Sequence, residues 1–161
     1  MITCTKRFDN IPFAHRQPNH DGHCSLIHGH NWSFEFEFAA LIDGPGSRLA
    51  VDSYDLHQID KNGFVVDFGN LKWLKQWLDE QFDHALVLNE EDPYLNQLHG
   101  WLMTLQPPLA KITPVPNCGA EGLASYVSGF VRSVLQNSGR VKLVRLTVFE
   151  DSKNSATIRF E

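Results

Sequence analysis

The chain has 161 residues, 42% hydrophobic and 20% charged, with 11 Phe and 4 Trp, which is enough apolar material for one core without staples. Its formal net charge is -5 and its Lys and Arg residues form no cluster, which argues against a nucleic-acid partner and favours a small molecule. No apolar run reaches the length of a membrane span, the first residues lack the pattern of a signal peptide, and Cys4, Cys24 and Cys118 form no disulfide framework; the expected setting is a reducing compartment, with the cytoplasm as default.

Residues 2 to 8 read as a first strand. The loop after it contains Pro12, Pro18, Asn19, Asp21 and Gly22 and carries His15, His20 and His23. From Trp32 to Ala39, large apolar residues fall at every second position, the period of a strand with one buried face; extended backwards, this strand takes in His28 and His30. Residues 42 to 63 are turn-rich, and Phe64 to Asp67 reads as a short strand. Leu71, Trp73, Leu74, Trp77, Leu78 and Phe82 recur at three- and four-residue steps, the pattern of an amphipathic helix. Five prolines mark residues 90 to 117 as a long connection, with a helical turn near Leu95 to Leu105. A second helix fits Glu121 to Gln136, with Gly139 as its stop, and two last strands fit Val141 to Phe149 and Ala156 to Phe160. The expected architecture is one α+β domain over residues 1–161, with a four-stranded antiparallel sheet and two helices on one face.

His28-Gly29-His30 is the centre of the chemistry. Residues i and i+2 of a strand point to the same side, so two imidazoles converge on one ion at about 2.0 to 2.1 Å, the usual zinc–nitrogen distance. Gly29, without a side chain, lets the strand lie close to another backbone or a ligand. Spacing alone leaves the third ligand open among His15, His20 and His23. Three histidines with an open fourth position describe a catalytic rather than a structural zinc site. Cys24, four residues before His28, is either a further ligand or a thiolate made available by the dication. His57 and His99 read as surface residues, and the stripe of Trp73, Trp77 and Phe82 reads as core.

The run Phe13-Ala14-His15 followed by Cys24-Ser25-Leu26-Ile27-His28-Gly29-His30-Asn31-Trp32 resembles the zinc signature of the 6-pyruvoyltetrahydropterin synthase / 6-carboxytetrahydropterin synthase family. Further resemblances follow in order: Val66-Asp67-Phe68 with Leu71-Lys72, then Phe82-Asp83-His84-Ala85-Leu86, Glu121-Gly122-Leu123-Ala124 and Val148-Phe149-Glu150. The resemblance implies zinc on His15, His28 and His30, a catalytic Cys24, a proton-relay pair Asp83 and His84, and substrate binding at Glu150 and Glu121. Glu150 would grip the guanidine-like edge of a pterin, a pairing of two parallel hydrogen bonds. It also implies the tunnelling fold, whose subunits associate through their sheets into rings, commonly hexamers, with active sites between subunits.

The implied substrate is 7,8-dihydroneopterin triphosphate. Three residues separate Cys24 from His28, as in the 6-carboxytetrahydropterin synthase branch; that branch also cleaves the side chain, releasing acetaldehyde and triphosphate on the route to queuosine and other deazapurines. The pyruvoyl branch has a longer stretch there, and a branch linked to folate synthesis replaces the cysteine with glutamate. This chain departs from the family in Asn117-Cys118-Gly119-Ala120-Glu121, which lacks the usual Thr or Ser before the glutamate. It also departs in the length of segments 42 to 63 and 90 to 117, and in a short loop from His15 to Cys24. The alternatives are a 6-pyruvoyltetrahydropterin synthase, a diverged member acting on another pterin, and a zinc- and pterin-binding protein without catalysis.

Overall fold

Phe34, Phe36 and Phe38 alternate along one strand and are fully buried, and the sheet is organised around them. The computed structural model describes residues 2–41, 60–136 and 140–161. Its strands are β1 (Thr3–His15), β2 (His28–Ala40), β3 (Ala85–Asn89), β4 (Lys111–Val115), β5 (Val141–Phe149) and β6 (Ser155–Arg159), and its α-helices are α1 (Lys72–Gln81), α2 (Leu95–Leu102) and α3 (Ala120–Gln136). The sheet runs β4-β3-β1-β2-β5-β6.

The expected antiparallel sheet is present as β1, β2, β5 and β6, but the whole is a mixed sheet of six strands, not four, because β3 and β4 pair in parallel beyond β1. All five residues of β3 are buried. A strand covered on both faces shows no alternation, so this run reads as a continuation of the preceding motif. β4 contains Pro114 and lies at the sheet edge, where a missing N–H is tolerated.

Helices α1 and α3 share the main core with the phenylalanines of β2. Phe82, fully buried, joins the layers: its ring lies 5.4 Å from Phe13, 5.6 Å from Phe34 and 5.9 Å from Trp77. The third helix, α2, corrects the expectation of helices on one face only. Ala85 and Val87 point into the main core, whereas Leu86 and Leu88 form a second cluster with Ile112, Leu95, Leu98 and Leu102. Alternate residues of a strand face opposite sides, so α2 covers the other face.

Two more expectations change. Residues 64 to 67 form no strand, because the backbone of Phe64 is engaged elsewhere: its N–H donates to Asp60 Oδ1 and its carbonyl accepts from Asp60 N and Arg140 Nη2. The first strand does not end at Phe8 but continues to His15, which places His15 on a strand rather than in the loop. The turn-rich stretch from 42, His57 and the expected stop at Gly139 lie in residues 42–59 and 137–139, outside the described residues.

The extension of β1 depends on a bulge. Phe8 pairs with Phe34 and Ile11 with Trp32, so Asp9 and Asn10 oppose one residue of β2. Asn10 takes φ 60°, a left-handed conformation that Asn tolerates better than most residues, and its Oδ1 accepts from Asn31 Nδ2 at 2.9 Å. Before the bulge Phe8 faces the core; after it Ile11, Phe13 and His15 do. Asn10→Val is expected to destabilise the protein by about 1–2 kcal/mol and Asn10→Gly to stay near neutral, as read by urea denaturation. Equal losses for the two would refute the backbone argument.

Candidate metal centre and cleft

The bulge brings three imidazoles together. His15 pairs directly with His28 across β1 and β2, and His30 lies across from Phe13, so all three project from the core face near the strand ends. Ring centroids are 4.6 Å apart for His15–His28, 5.1 Å for His28–His30 and 5.4 Å for His15–His30. One nitrogen from each falls within 4.8 Å of the others, a spacing that can hold a metal ion. Trp32 forms the floor, its indole edge-on to His15 at 5.1 Å and to His30 at 5.7 Å.

Hydrogen bonds from behind orient two of the rings. His15 Nδ1 lies 2.9 Å from the Cys118 carbonyl and His28 Nδ1 lies 2.7 Å from the Leu26 carbonyl. A carbonyl only accepts, so each Nδ1 carries the proton and each Nε2 presents a lone pair. This is the arrangement of metal-bound histidines. His15 Nε2 and His30 Nε2 are buried without a hydrogen-bond partner, a state that costs free energy in a closed chain and that a metal ion relieves. Burial lowers the pKa of His15 to about 4; the Cys118 carbonyl opposes this, and His28 and His30 add to the lowering. The ring is therefore neutral at ordinary pH, the form in which an imidazole can ligate a metal ion.

Glu150, just beyond β5, extends a carboxylate toward the same point: its Oε1 is 3.4 Å from His15 Nε2 and 3.6 Å from His30 Nε2. Cys24 sits in a 3-10 turn, His23–Ser25, whose neighbour Gln17 donates its N–H to the Cys24 carbonyl at 2.8 Å. His15, His28, Cys24, Glu150 and Glu121 all line one cleft of about 430 Å³, within the range of small-ligand sites. Glu121 reaches it from the first turn of α3.

Other predicted residues lie elsewhere. His20 and His23 are exposed outside the triad, and His99 is exposed on α2. Asp83 and His84 do not line the cleft. They form the turn between α1 and β3. His84 takes φ 56°, and this left-handed turn lets its Nδ1 meet Asp83 Oδ1 at 2.9 Å, a contact that adjacent helical residues do not make. The His84 N–H donates to the Pro12 carbonyl, so the pair stands three residues, about 10 Å along the strand, from His15. Its imidazole is 82% exposed. A Cβ on Gly29 would meet nothing nearer than the Phe13 carbonyl at 3.6 Å, an ordinary contact, so no close approach requires the glycine. The missing hydroxyls before Glu121 are not replaced by Cys118: its thiol is buried and donates to the Arg16 carbonyl at 3.0 Å, leaving Gly119 and Ala120 to face the cleft. Sequence reasoning did not find Lys153 and Asn154 of the β5–β6 turn or Ser155 at the start of β6, which line the cleft as well; nothing in their local pattern distinguishes them from any polar turn.

The family model of 6-pyruvoyl tetrahydropterin synthase matches residues 2–161. The chain belongs to this family. It is 36% identical over 98 residues to the 6-carboxy-5,6,7,8-tetrahydropterin synthase of Rickettsia conorii, a match covering 60% of this chain and 59% of that protein. The chain thus spans about three-fifths of that relative's length. A protein of the same name from Aquifex aeolicus is 27% identical over 142 residues, covering 86% of this chain and 76% of that one. Among solved structures, a Wolinella succinogenes protein described as uncharacterized superposes with a TM-score of 0.78 at 19% identity, covering 99% of this chain and 98% of that one. The Caenorhabditis elegans 6-pyruvoyl tetrahydropterin synthase superposes with a TM-score of 0.61 at 20% identity, covering 99% and 96%. At these identities the superpositions establish the fold.

The state of His15 has a measurable consequence. Its pKa falls from 6.5 in the unfolded chain to about 4 in the folded one, so between those values the unfolded chain binds more protons. In protein stripped of metal, this contribution is complete above pH 6.5 and is lost as pH falls toward 4, on the order of 3 kcal/mol in all. Chemical denaturation across that window should show the loss, and His15→Asn should flatten it; an unchanged slope would count against a buried neutral imidazole.

Proposed function

We propose that this chain is a subunit of a zinc-dependent 6-carboxy-5,6,7,8-tetrahydropterin synthase acting on 7,8-dihydroneopterin triphosphate. The observation that carries the reading is the convergence of three nitrogens, from His15, His28 and His30, beside a cleft that His15 and His28 line together with Cys24, Glu121 and Glu150. All-nitrogen ligation by three imidazoles with room for a further ligand suits catalytic zinc. The names of the Rickettsia and Aquifex relatives support the carboxy branch, as does the short spacing from Cys24 to His28.

Bound zinc supplies Lewis acidity toward the side-chain hydroxyls of the pterin. Glu150 accepts two N–H groups from the ring's guanidine-like edge, which fixes the ring and satisfies a half-buried carboxylate. Glu121 binds substrate from the start of α3, beside the Gly119 and Ala120 backbone. Cys24 takes a proton from the substrate side chain next to the ring, and His84, oriented by Asp83, returns one. Cleavage of the side chain, with one water molecule consumed, then yields 6-carboxytetrahydropterin, acetaldehyde and triphosphate.

Because His84 and Asp83 lie outside the cleft of their own chain, a neighbouring subunit supplies them. Among the described residues, β6 has an open outer edge, and no strand pairs with β1 on the side away from β2 before Ala14. The far face of these strands carries Arg145 bonded to Glu37 at 2.6 Å and to Glu35 at 3.0 Å. Open edges and a charged face suit a sheet continued from subunit to subunit, a homo-oligomer such as a hexamer.

Incubation with dihydroneopterin triphosphate, followed by mass spectrometry, should give 6-carboxytetrahydropterin with acetaldehyde. A 6-pyruvoyl product would shift the assignment to the other branch, and no turnover would refute both. Cys24→Ala should lower the rate roughly 10²–10⁴-fold with zinc content unchanged; full turnover by this variant would remove Cys24 from the chemistry. Mixing inactive Cys24→Ala with inactive His84→Ala subunits should restore activity in hybrid assemblies, and failure of every mixture would argue against shared sites.

A further inference from the structure

Four residues, Cys118, Asn89, Asp92 and Arg16, close a ring of contacts behind His15. The Cys118 peptide, fully buried between β4 and α3, is held at three points. Its carbonyl accepts from His15 Nδ1 at 2.9 Å, its N–H donates to Asn89 Oδ1 at 2.7 Å, and its thiol donates to the Arg16 carbonyl at 3.0 Å. Asn89 is the last residue of β3 and is itself buried. Its carbonyl accepts from Asp92 N at 2.9 Å, and the buried Asp92 carboxylate faces Arg16 Nε at 3.3 Å. Arg16 follows His15 in the chain, so the circuit returns to the metal ligand.

A second contact presses on the same peptide. A Cβ at Gly122, in the first turn of α3, would collide with the Asn117 carbonyl oxygen and come within 2.6 Å of Asn117 Oδ1. Only glycine lets the 117–118 turn lie against the helix at this height. Asn89 from one side and Gly122 from the other therefore decide where the Cys118 carbonyl stands.

Resting on the metal reading above, we propose that Asn89 is a positioning residue for the metal centre: through the Cys118 peptide, supported by the close packing of Gly122, it aims His15 Nε2 at the ion. A carbonyl that moves by a fraction of an ångström turns the imidazole that donates to it, and outer partners of metal-bound histidines contribute strongly to affinity.

The test is zinc affinity, measured by competition with a chromophoric chelator under conditions where circular dichroism shows each variant folded. Asn89→Leu leaves the Cys118 N–H unpaired, and Gly122→Ala displaces the turn without touching Asn89. Each should bind zinc about 10- to 100-fold more weakly than the unmodified protein. Asn89→Asp keeps an acceptor at the same place and should restore most of the affinity. A merely structural role would lower the melting temperature and leave the zinc dissociation constant alone. Unchanged affinity in folded Asn89→Leu and Gly122→Ala overturns the inference while sparing the metal site, whereas an unmodified protein that takes up no zinc overturns both.

Discussion

One inserted residue in one strand organises the chemistry of this protein. Side chains alternate along β1 with period two, so the residues facing the core are fixed once the register with β2 is fixed. The bulge at Asp9 and Asn10 breaks that parity once. Without it, Pro12, Ala14 and Arg16 would face the core, and His15 would lie on the far side of the sheet from His28 and His30. The left-handed backbone of Asn10 is therefore a condition of the histidine cluster, although it lies at least five residues from each of the three imidazoles.

The environment of the triad follows from the same placement. The aromatic core runs up to the triad through the stacked pair Phe13 and Trp32, with rings 4.6 Å apart, so the imidazoles stand on an apolar floor and under a polar cleft. Burial keeps His15 neutral, and carbonyls behind His15 and His28 choose the tautomer that faces outward. In a closed chain these features leave inward nitrogens without partners. Their cost is the kind that a binding site retains.

The two groups of candidate residues differ in what supports them. The triad, Cys24, Glu150 and Glu121 are gathered by pairing and packing within one chain. Asp83 and His84 are held near the surface in a turn whose left-handed residue is locked by the Pro12 carbonyl. Strained, exposed and hydrogen-bonded to each other, they stand outside the cleft of their own chain. In the proposed assembly, the open edges of β1 and β6 are the route by which one chain's turn would meet another chain's cleft.

Much of this was readable in the residues. The alternation from Trp32 to Ala39 revealed β2, the three- and four-residue steps revealed α1 and α3, and His28-Gly29-His30 implied two same-side ligands, because each signal is a local period that burial imposes directly. Strand β3 was hidden because a strand buried on both faces has no period. The continuation of β1 to His15 was hidden because a bulge changes the period midway, next to a proline. Spacing left His15, His20 and His23 equivalent as third ligand; cross-strand register separates them, and register exists only between elements. The Cys118 carbonyl and Asn89 lie beyond any sequence signal, since a backbone oxygen has no letter and an asparagine ending an apolar run looks like a turn. The sequence by itself determined which groups could do chemistry and which faces must be buried. The tertiary structure alone decided which of them meet, because alternation places a side chain only relative to its own strand, and the meeting point depends on how strands pair.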